Sequence, residues 1–303
     1  MHEKHEYTIL HSNTDEPETL FTGEAPNPRF SNKLMFIDSH AHIVREEYGT
    51  ELEQVFVRSR EAGVEAIIIP GTNLQSSREA VQLSTVYDDV YACVGVHPHE
   101  ASKSDEMVLK EIEALSHEKK VVAIGEIGLD YHYDFSPRDI QRSVFRKQLE
   151  IGAVRNLPVV IHTRESVQET IDLVSEVAHL HPGWGTSSLQ ESSNRKKRGV
   201  FHCFPGTVEE CRRVFDLGFY VSYPGIVTFK NAKVVETIRA IGIEQLLLET
   251  DSPYMTPVPH RGKKNEPGYI RFIAQKLADV LHLPIEKIAE ITTTNTKTLF
   301  GIH

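Results

Sequence analysis

From Leu34 onward the hydrophobic positions gather into short blocks separated by longer stretches of mixed polarity. Eight blocks have the length of a strand: LMFID (34–38), EAIIIP (65–70), VYACVGV (90–96), VVAIGEI (121–127), LPVVIH (157–162), GVFHC (199–203), GFYVSY (218–223) and QLLLET (245–250). Most are nearly continuous apolar runs, as expected of strands covered on both faces of a parallel sheet. Helical periodicity marks stretches between them, among them 51–63, 77–87, 136–155 and 165–180, and the segments 269–283 and 284–300 supply the last helices. Gly63 reads as a helix stop, and Ser136 as an N-cap with Pro137 at the first helical position. Eight strand–helix units in this length predict an α/β fold, a (β/α)8 TIM barrel forming a single domain over residues 34–303.

Two stretches break the pattern. Residues 1–33 are polar and rich in turn formers, and are expected to form an irregular N-terminal extension. HPGWGTSSLQESSNRKKR (181–198) is long, polar and charged, and is expected to be a mobile surface insertion carrying Trp184, the chain's one tryptophan.

Composition narrows the class. A chain of 303 residues with 40% hydrophobic and 25% charged positions is an ordinary globular sequence. Its formal net charge of −10 argues against a broad basic face, so nucleic acid, if bound, must be gripped locally. Cys93, Cys203 and Cys211 lack paired spacing and predict no disulfide framework, which fits a reducing compartment. No apolar run is long enough to span a bilayer, and the N-terminus resembles no targeting peptide. A cytoplasmic location follows as the expectation, with the nucleus left open.

The chemistry collects where the predicted strands end. His40 and His42 follow the first strand, and i, i+2 alternation would point both rings one way, with Asp38 of the same parity a layer deeper. Glu126 ends the fourth strand, His162 the fifth, His202 lies in the sixth and Asp251 follows the eighth. Polar groups repeated at one end of a barrel must be paired or must bind a metal. Imidazole with carboxylate and no thiolate set fits Zn²⁺, Mn²⁺, Fe or Ni²⁺, and alternation turns Cys203 away from the centre. Four His and two carboxylates exceed one tetrahedral site, which argues for two ions with Glu126 between them.

FIDSHAHI, GVHPHE, AIGEIGLDYH, VIHTRES, FHCFPGT and LLLETDSPY, in this order, resemble the TatD family of metal-dependent hydrolases and deoxyribonucleases, within the amidohydrolase superfamily. The resemblance covers about residues 34–300. It implies two divalent metal ions (Mg, Mn or Zn), one held by His40, His42 and Asp251, the other by His162 and His202, with Glu126 bridging and Asp251 also activating water. It further implies hydrolysis of DNA phosphodiesters with 3′-to-5′ exonuclease character. The alternative is an amidohydrolase or esterase acting on a small molecule or an aminoacyl ester, since fold and metals are shared. DNA is the expected partner, without a membrane, and the chain is expected to be monomeric.

Around this set, His97 and His99 in GVHPHE follow the third strand, and His97 is expected to line the substrate cleft. Asp130 and Tyr131 are candidates for orienting the metal site. Arg164, Arg261, Lys263 and Lys264 are candidates for gripping phosphate. The run Arg195–Arg198 reads as a solvated basic surface, and Glu249 as a member of a structural ion pair.

Overall fold

The structure is a computed structural model that describes residues 34–186 and 196–303. The expectation for residues 1–33 and the middle of the 181–198 segment, Arg195 included, therefore lie outside the described residues.

The strands are β1 (Phe36–Asp38), β2 (Val64–Pro70), β3 (Val90–Val94), β4 (Val121–Asp130), β5 (Val159–Arg164), β6 (Gly199–Phe201), β7 (Phe219–Tyr223) and β8 (Leu246–Leu248). They pair in parallel and in sequence order. The helices are α1 (Arg45–Tyr48), α2 (Leu52–Glu61), α3 (Leu74–Val86), α4 (Glu106–Leu115), α5 (Arg138–Arg155), α6 (Val167–Leu180), α7 (Val208–Asp216), α8 (Val234–Ile241), α9 (Ile270–Leu281) and α10 (Ile285–Phe300). Every predicted strand block is realised, and the fold is a (β/α)8 TIM barrel. The ends of β1 and β8 meet where the Ser39 N–H donates to the Leu248 carbonyl (3.0 Å).

Alternation along the strands divides the core in two. Ile37, Ala66, Ile68, Cys93, Ala123, Val160, Val200, Tyr220 and Leu247 form one buried cluster, the packing inside the barrel. Their neighbours in sequence, such as Phe36, Ile67, Val94, Ile161, Phe201 and Leu248, face the helices. Leu299, Phe300 and Ile302 join the inner cluster, and Lys297 pairs with Glu65 near the start of β2 (2.9 Å). The last helix thus covers the amino end of the barrel and leaves the carboxyl end for the site.

Three local expectations are corrected. Ser136 does not cap α5: the residue before the helix is Pro137, with no side-chain cap. The Ser136 hydroxyl instead donates to the His99 carbonyl (3.0 Å) and accepts from the Ser102 N–H (3.0 Å), tying two mouth loops together. Trp184 is not part of a mobile surface. It is buried, its indole N–H donates to the Leu157 carbonyl (2.8 Å), and its ring meets Phe219 edge-on at 5.8 Å. Arg198 is likewise buried and donates to the Leu217 carbonyl (2.7 Å) and the Trp184 carbonyl (3.2 Å). The guanidinium satisfies carbonyls that would otherwise be orphaned, so Arg198 is not a solvated member of a basic run.

Candidate metal centre

The barrel interior sets the parity of the site. On β5, Val160 packs inside and His162 follows it on the same side; on β6, Val200 is followed by His202; on β8, Leu247 is followed by Glu249. β4 reaches the centre differently. Its register shifts between Ile124 and Ile127, which rephases the strand around Glu126. Gly128 lets β4 approach β5 closely: a Cβ there would fall 1.9 Å from the His162 carbonyl oxygen, at a φ of +145°.

His40 and His42 arrive by another route. β1 ends at Asp38, with Ile37 inside, so strand alternation does not aim them. The backbone after β1 is held instead by the strand-eight side. The Asp251 N–H donates to the His40 carbonyl (2.9 Å) and the His42 N–H to the Ser252 carbonyl (2.7 Å). Asp38 is not a deeper member of the same row. Its carboxylate accepts from the Thr250 hydroxyl (2.6 Å), the Thr250 N–H (3.0 Å) and the His40 N–H (3.3 Å), so it binds β1 to the end of β8.

The donors converge on Glu126, which divides its two oxygens. Oε2 lies 3.5 Å from His40 Nε2 and 3.6 Å from His42 Nε2. Oε1 lies 2.8 Å from His202 Nε2, 3.2 Å from His162 Nδ1 and 3.5 Å from His97 Nε2. Asp251 Oδ1 completes the first group, 3.7 Å from His40 Nε2 and 3.6 Å from His42 Nε2. The two Nε2 atoms of His40 and His42 are 3.2 Å apart. Donors 2.0–2.2 Å from one tetrahedral cation lie about 3.4 Å from each other, the spacing seen here. Among the described residues, His40–His42–Asp251, His40–Glu126–His202 and His97–Glu126–His162 are the sets of donors compact enough to hold an ion. Nδ1 of His40 and of His202 is buried without a hydrogen-bond partner. The donor chemistry therefore fits divalent ions.

Hydrogen bonds at the far ring nitrogens sort these histidines. His162 Nε2 faces Asp130 Oδ2 (3.0 Å), so that nitrogen holds its proton and Nδ1, on losing its own, is the one that can offer a lone pair. His97 is the reverse: its Nδ1 accepts from the His99 N–H (3.2 Å). Its proton sits on Nε2, which makes it a hydrogen-bond donor toward Glu126, not a lone-pair donor, despite its place in a compact set. His97, expected to line the substrate cleft, stands beside the cluster, its Nε2 3.5 Å from Glu126 Oε1. His99 Nε2 shares the Asp130 carboxylate with His162 (3.0 Å).

Electrostatics follow from burial and neighbours. Burial and the adjacent His40 push His42 down to about 3. Burial, reinforced by His202, also lowers His40. Burial would lower His162 too, but its hydrogen bonds to Asp130 and Glu126 outweigh this and raise it to about 9. Burial, with Glu249, Glu126 and Asp38 as like charges, raises Asp251 well above the usual carboxylate range.

Among the described residues Glu249 pairs with no Lys or Arg. It accepts from the Ser222 hydroxyl (2.6 Å) and the Cys203 N–H (2.8 Å), and stands 3.9 Å from His202 Nδ1. Cys203 lies past the end of β6 at φ +43°, so alternation does not turn it from the centre. Burial raises its thiol well above the ordinary value, and the carboxylates of Asp251, Glu249 and Glu126 add to this. Of the cationic candidates, Arg164 lies over the Tyr133 ring (4.7 Å). Arg261 and Lys263 are exposed on the loop after β8, with Arg261 over the Phe229 ring (3.8 Å), and are not drawn into the cluster. Tyr131 bonds outward to Glu169 (2.8 Å).

A parallel barrel with polydentate His and carboxylate donors at its carboxyl end is the architecture of metal-dependent hydrolases. The chain belongs to the TatD related DNase family, whose profile matches residues 37–301. It is 40% identical to the uncharacterized metal-dependent hydrolase YabD of Bacillus subtilis, over 89% of this chain and all of that protein. It is 33% identical to the 3'-5' ssDNA/RNA exonuclease TatD of Escherichia fergusonii, over 88% of this chain and 98% of that one. Among solved structures, the TatD homolog YJJV from Escherichia coli K12 superposes with a TM-score of 0.79 at 28% identity, covering 88% of this chain and 98% of that chain. No helix of the described residues is long and apolar enough to cross a membrane.

Proposed function

We propose that this protein is a divalent-metal-dependent phosphodiesterase that shortens DNA from its 3′ end, built as one barrel domain over residues 34–303. The observation that carries this reading is the division of Glu126, one oxygen facing His40 and His42 and the other facing His162 and His202. His40, His42 and Asp251 would hold one ion, His162 and His202 the other, and Glu126 both. Mg²⁺, Mn²⁺ and Zn²⁺ all suit imidazole and carboxylate to different degrees. Such a pair supplies charge stabilisation for phosphoryl oxygens and acidifies water.

The chain's own groups do the rest. Asp251 accepts the proton of the attacking water, as a carboxylate at the edge of the cluster can. His97, with its proton on Nε2, donates to a phosphoryl oxygen entering beside Glu126. Asp130 keeps His162 in the tautomer that frees Nδ1. Arg164, Arg261 and Lys263 remain candidates for backbone phosphates farther out. All these donors come from one chain, so a monomer suffices, and the substrate partner is DNA.

The test is digestion of 5′-labelled single-stranded DNA with Mg²⁺ or Mn²⁺. A ladder that shortens from the 3′ end, abolished by chelator and by Glu126→Ala, is the expected result. Metal-loaded protein that leaves DNA intact would transfer the reading to an amidohydrolase or esterase acting on a small molecule or an aminoacyl ester.

A further inference from the structure

The loop leaving β4, DYHYDFSP (130–137), sets two aromatic rings beside the cluster. Tyr133 and Phe135 stack with centroids 5.2 Å apart and planes within 6°. Phe135 meets the His99 ring edge-on at 4.9 Å, and His99 shares the Asp130 carboxylate with His162. One side chain therefore separates the stack from the metal donors. The Arg164 guanidinium lies 4.7 Å from the Tyr133 ring centre, a cation over a π-face.

Phe135 is 51% exposed, the one phenylalanine among the exposed large hydrophobic side chains of the described residues. The loop that displays it is firmly tied. Asp130 Oδ1 accepts from the N–H groups of His132 (3.0 Å) and Tyr133 (3.2 Å). His132 pairs with Glu165 (2.7 Å), Arg138 with Asp134 (2.9 Å), and Ser136 joins the loop to the Ser102–His99 segment. A tethered loop that leaves half of an aromatic ring's surface exposed next to a reactive site presents apolar surface where a polar side chain would serve the loop as well, and such rings mark recognition surfaces.

The net charge supplies a second, independent reason. At −10 the chain cannot hold a polyanion by a broad cationic surface. Stacking on aromatic rings binds nucleic acid without that charge, and tolerates every sequence because each base has a π-face. A base inside a duplex is already stacked and unavailable, whereas an unpaired base is not.

We infer that Tyr133 and Phe135 form a platform for an unpaired base of a single-stranded nucleic acid, with Arg164 holding the Tyr133 ring, so that strand selection is made by stacking at the mouth of the β4–β5 side. This rests on the nuclease reading of the same site. The experiment compares kcat and KM of wild type, Phe135→Ala and Phe135→Trp on a labelled oligo-dT strand and on the same strand with tetrahydrofuran abasic residues at its 3′ end. On the base-bearing strand Phe135→Ala should raise KM about tenfold with kcat little changed, a loss within the range measured for one base–aromatic stack, and Phe135→Trp should restore it. On the abasic strand wild type should already show the higher KM, and Phe135→Ala should add nothing. Equal effects of Phe135→Ala on both strands, or none on either, overturn the platform while leaving the nuclease reading intact. Wild type that cleaves neither strand overturns the nuclease reading itself. Circular dichroism of each variant separates either outcome from misfolding.

Discussion

The two sides of the barrel mouth are held together in different ways. On the β8–β1 side, backbone does the positioning: the His40 carbonyl accepts from Asp251 and the Ser252 carbonyl from His42. The Asp38 carboxylate, sealed from solvent, draws in two donors of Thr250 across the same seam and the His40 N–H on its own side. On the β4–β5 side, one carboxylate does it. Asp130 orients His162 and lies 3.0 Å from His99 Nε2, and is itself fixed through its backbone by Gln141, whose Oε1 accepts its N–H (2.9 Å) and whose Nε2 donates to its carbonyl (3.0 Å). Among the histidines exposure rises across the mouth: the side chains of His40 and His42 are 1% and 15% exposed, those of His162 and His99 18% and 26%. A group whose geometry is set by the seam that closes the barrel cannot yield without cost to the fold. A group set by a single side chain at an open rim can be tuned, and can receive substrate.

The largest effect should come from the residue both sides share. Glu126→Ala should lower cleavage by at least ~10³-fold, the scale of losing a preorganised charge at the reacting centre, and metal analysis should show fewer ions bound. The next variant separates the sides. Asp130→Asn should cost roughly 10–100-fold in activity or metal affinity, the usual cost of losing a ligand's orienting partner, with little change in Tm. Asp38→Asn should do the reverse, lowering stability by about 1–3 kcal/mol in thermal unfolding of the metal-free protein, because an amide has one acceptor oxygen where the carboxyl group offers two to buried donors. An equal loss of Tm in both variants would erase the distinction.

A pH series sharpens the comparison further. In the metal-free protein His162 keeps its proton up to about 9. Metal taken up at that ring must displace the proton, so affinity should strengthen as pH rises toward 9, by at most about tenfold per unit, and level off above it. Asp130→Asn removes a hydrogen bond that raises His162, so the window should move to lower pH. Calorimetry in buffers of different ionisation enthalpy counts the proton released. The smallest effect belongs to a residue on neither side. Trp184→Phe keeps the ring in its pocket and loses one hydrogen bond to Leu157. It should cost about 1 kcal/mol in denaturant unfolding with activity unchanged.

Much of the mouth could be read from strand ends. His162, His202 and Glu249 continue the inward parity of Val160, Val200 and Leu247, so period-2 alternation locates them. His40 and His42 were reached by the same rule for a reason that does not hold, since β1 stops at Asp38 with the opposite parity. Their convergence comes from contacts with residues 251 and 252, more than 200 positions away in sequence. Cys203 misled for the same reason: beyond the last strand residue, alternation has no force. Asp130 was visible as a neighbour of the cluster but not as the residue that selects which nitrogen of His162 is offered. Trp184 and Arg198 looked like surface because their segment is polar, yet their partners, Leu157 and Leu217, lie on other elements.

Eight apolar runs of strand length already specify the barrel, and His, Glu and Asp placed at their ends specify the kind of chemistry. Those are local properties: periodicity and residue type act over a few positions, and a parallel sheet leaves few ways to satisfy them. How Glu126 divides its two oxygens, which ring nitrogen each histidine presents, and the stacking of Tyr133 on Phe135 at the rim emerge from the folded chain alone. Those depend on register shifts and seam hydrogen bonds between distant strands, where displacements of an ångström decide whether donors meet.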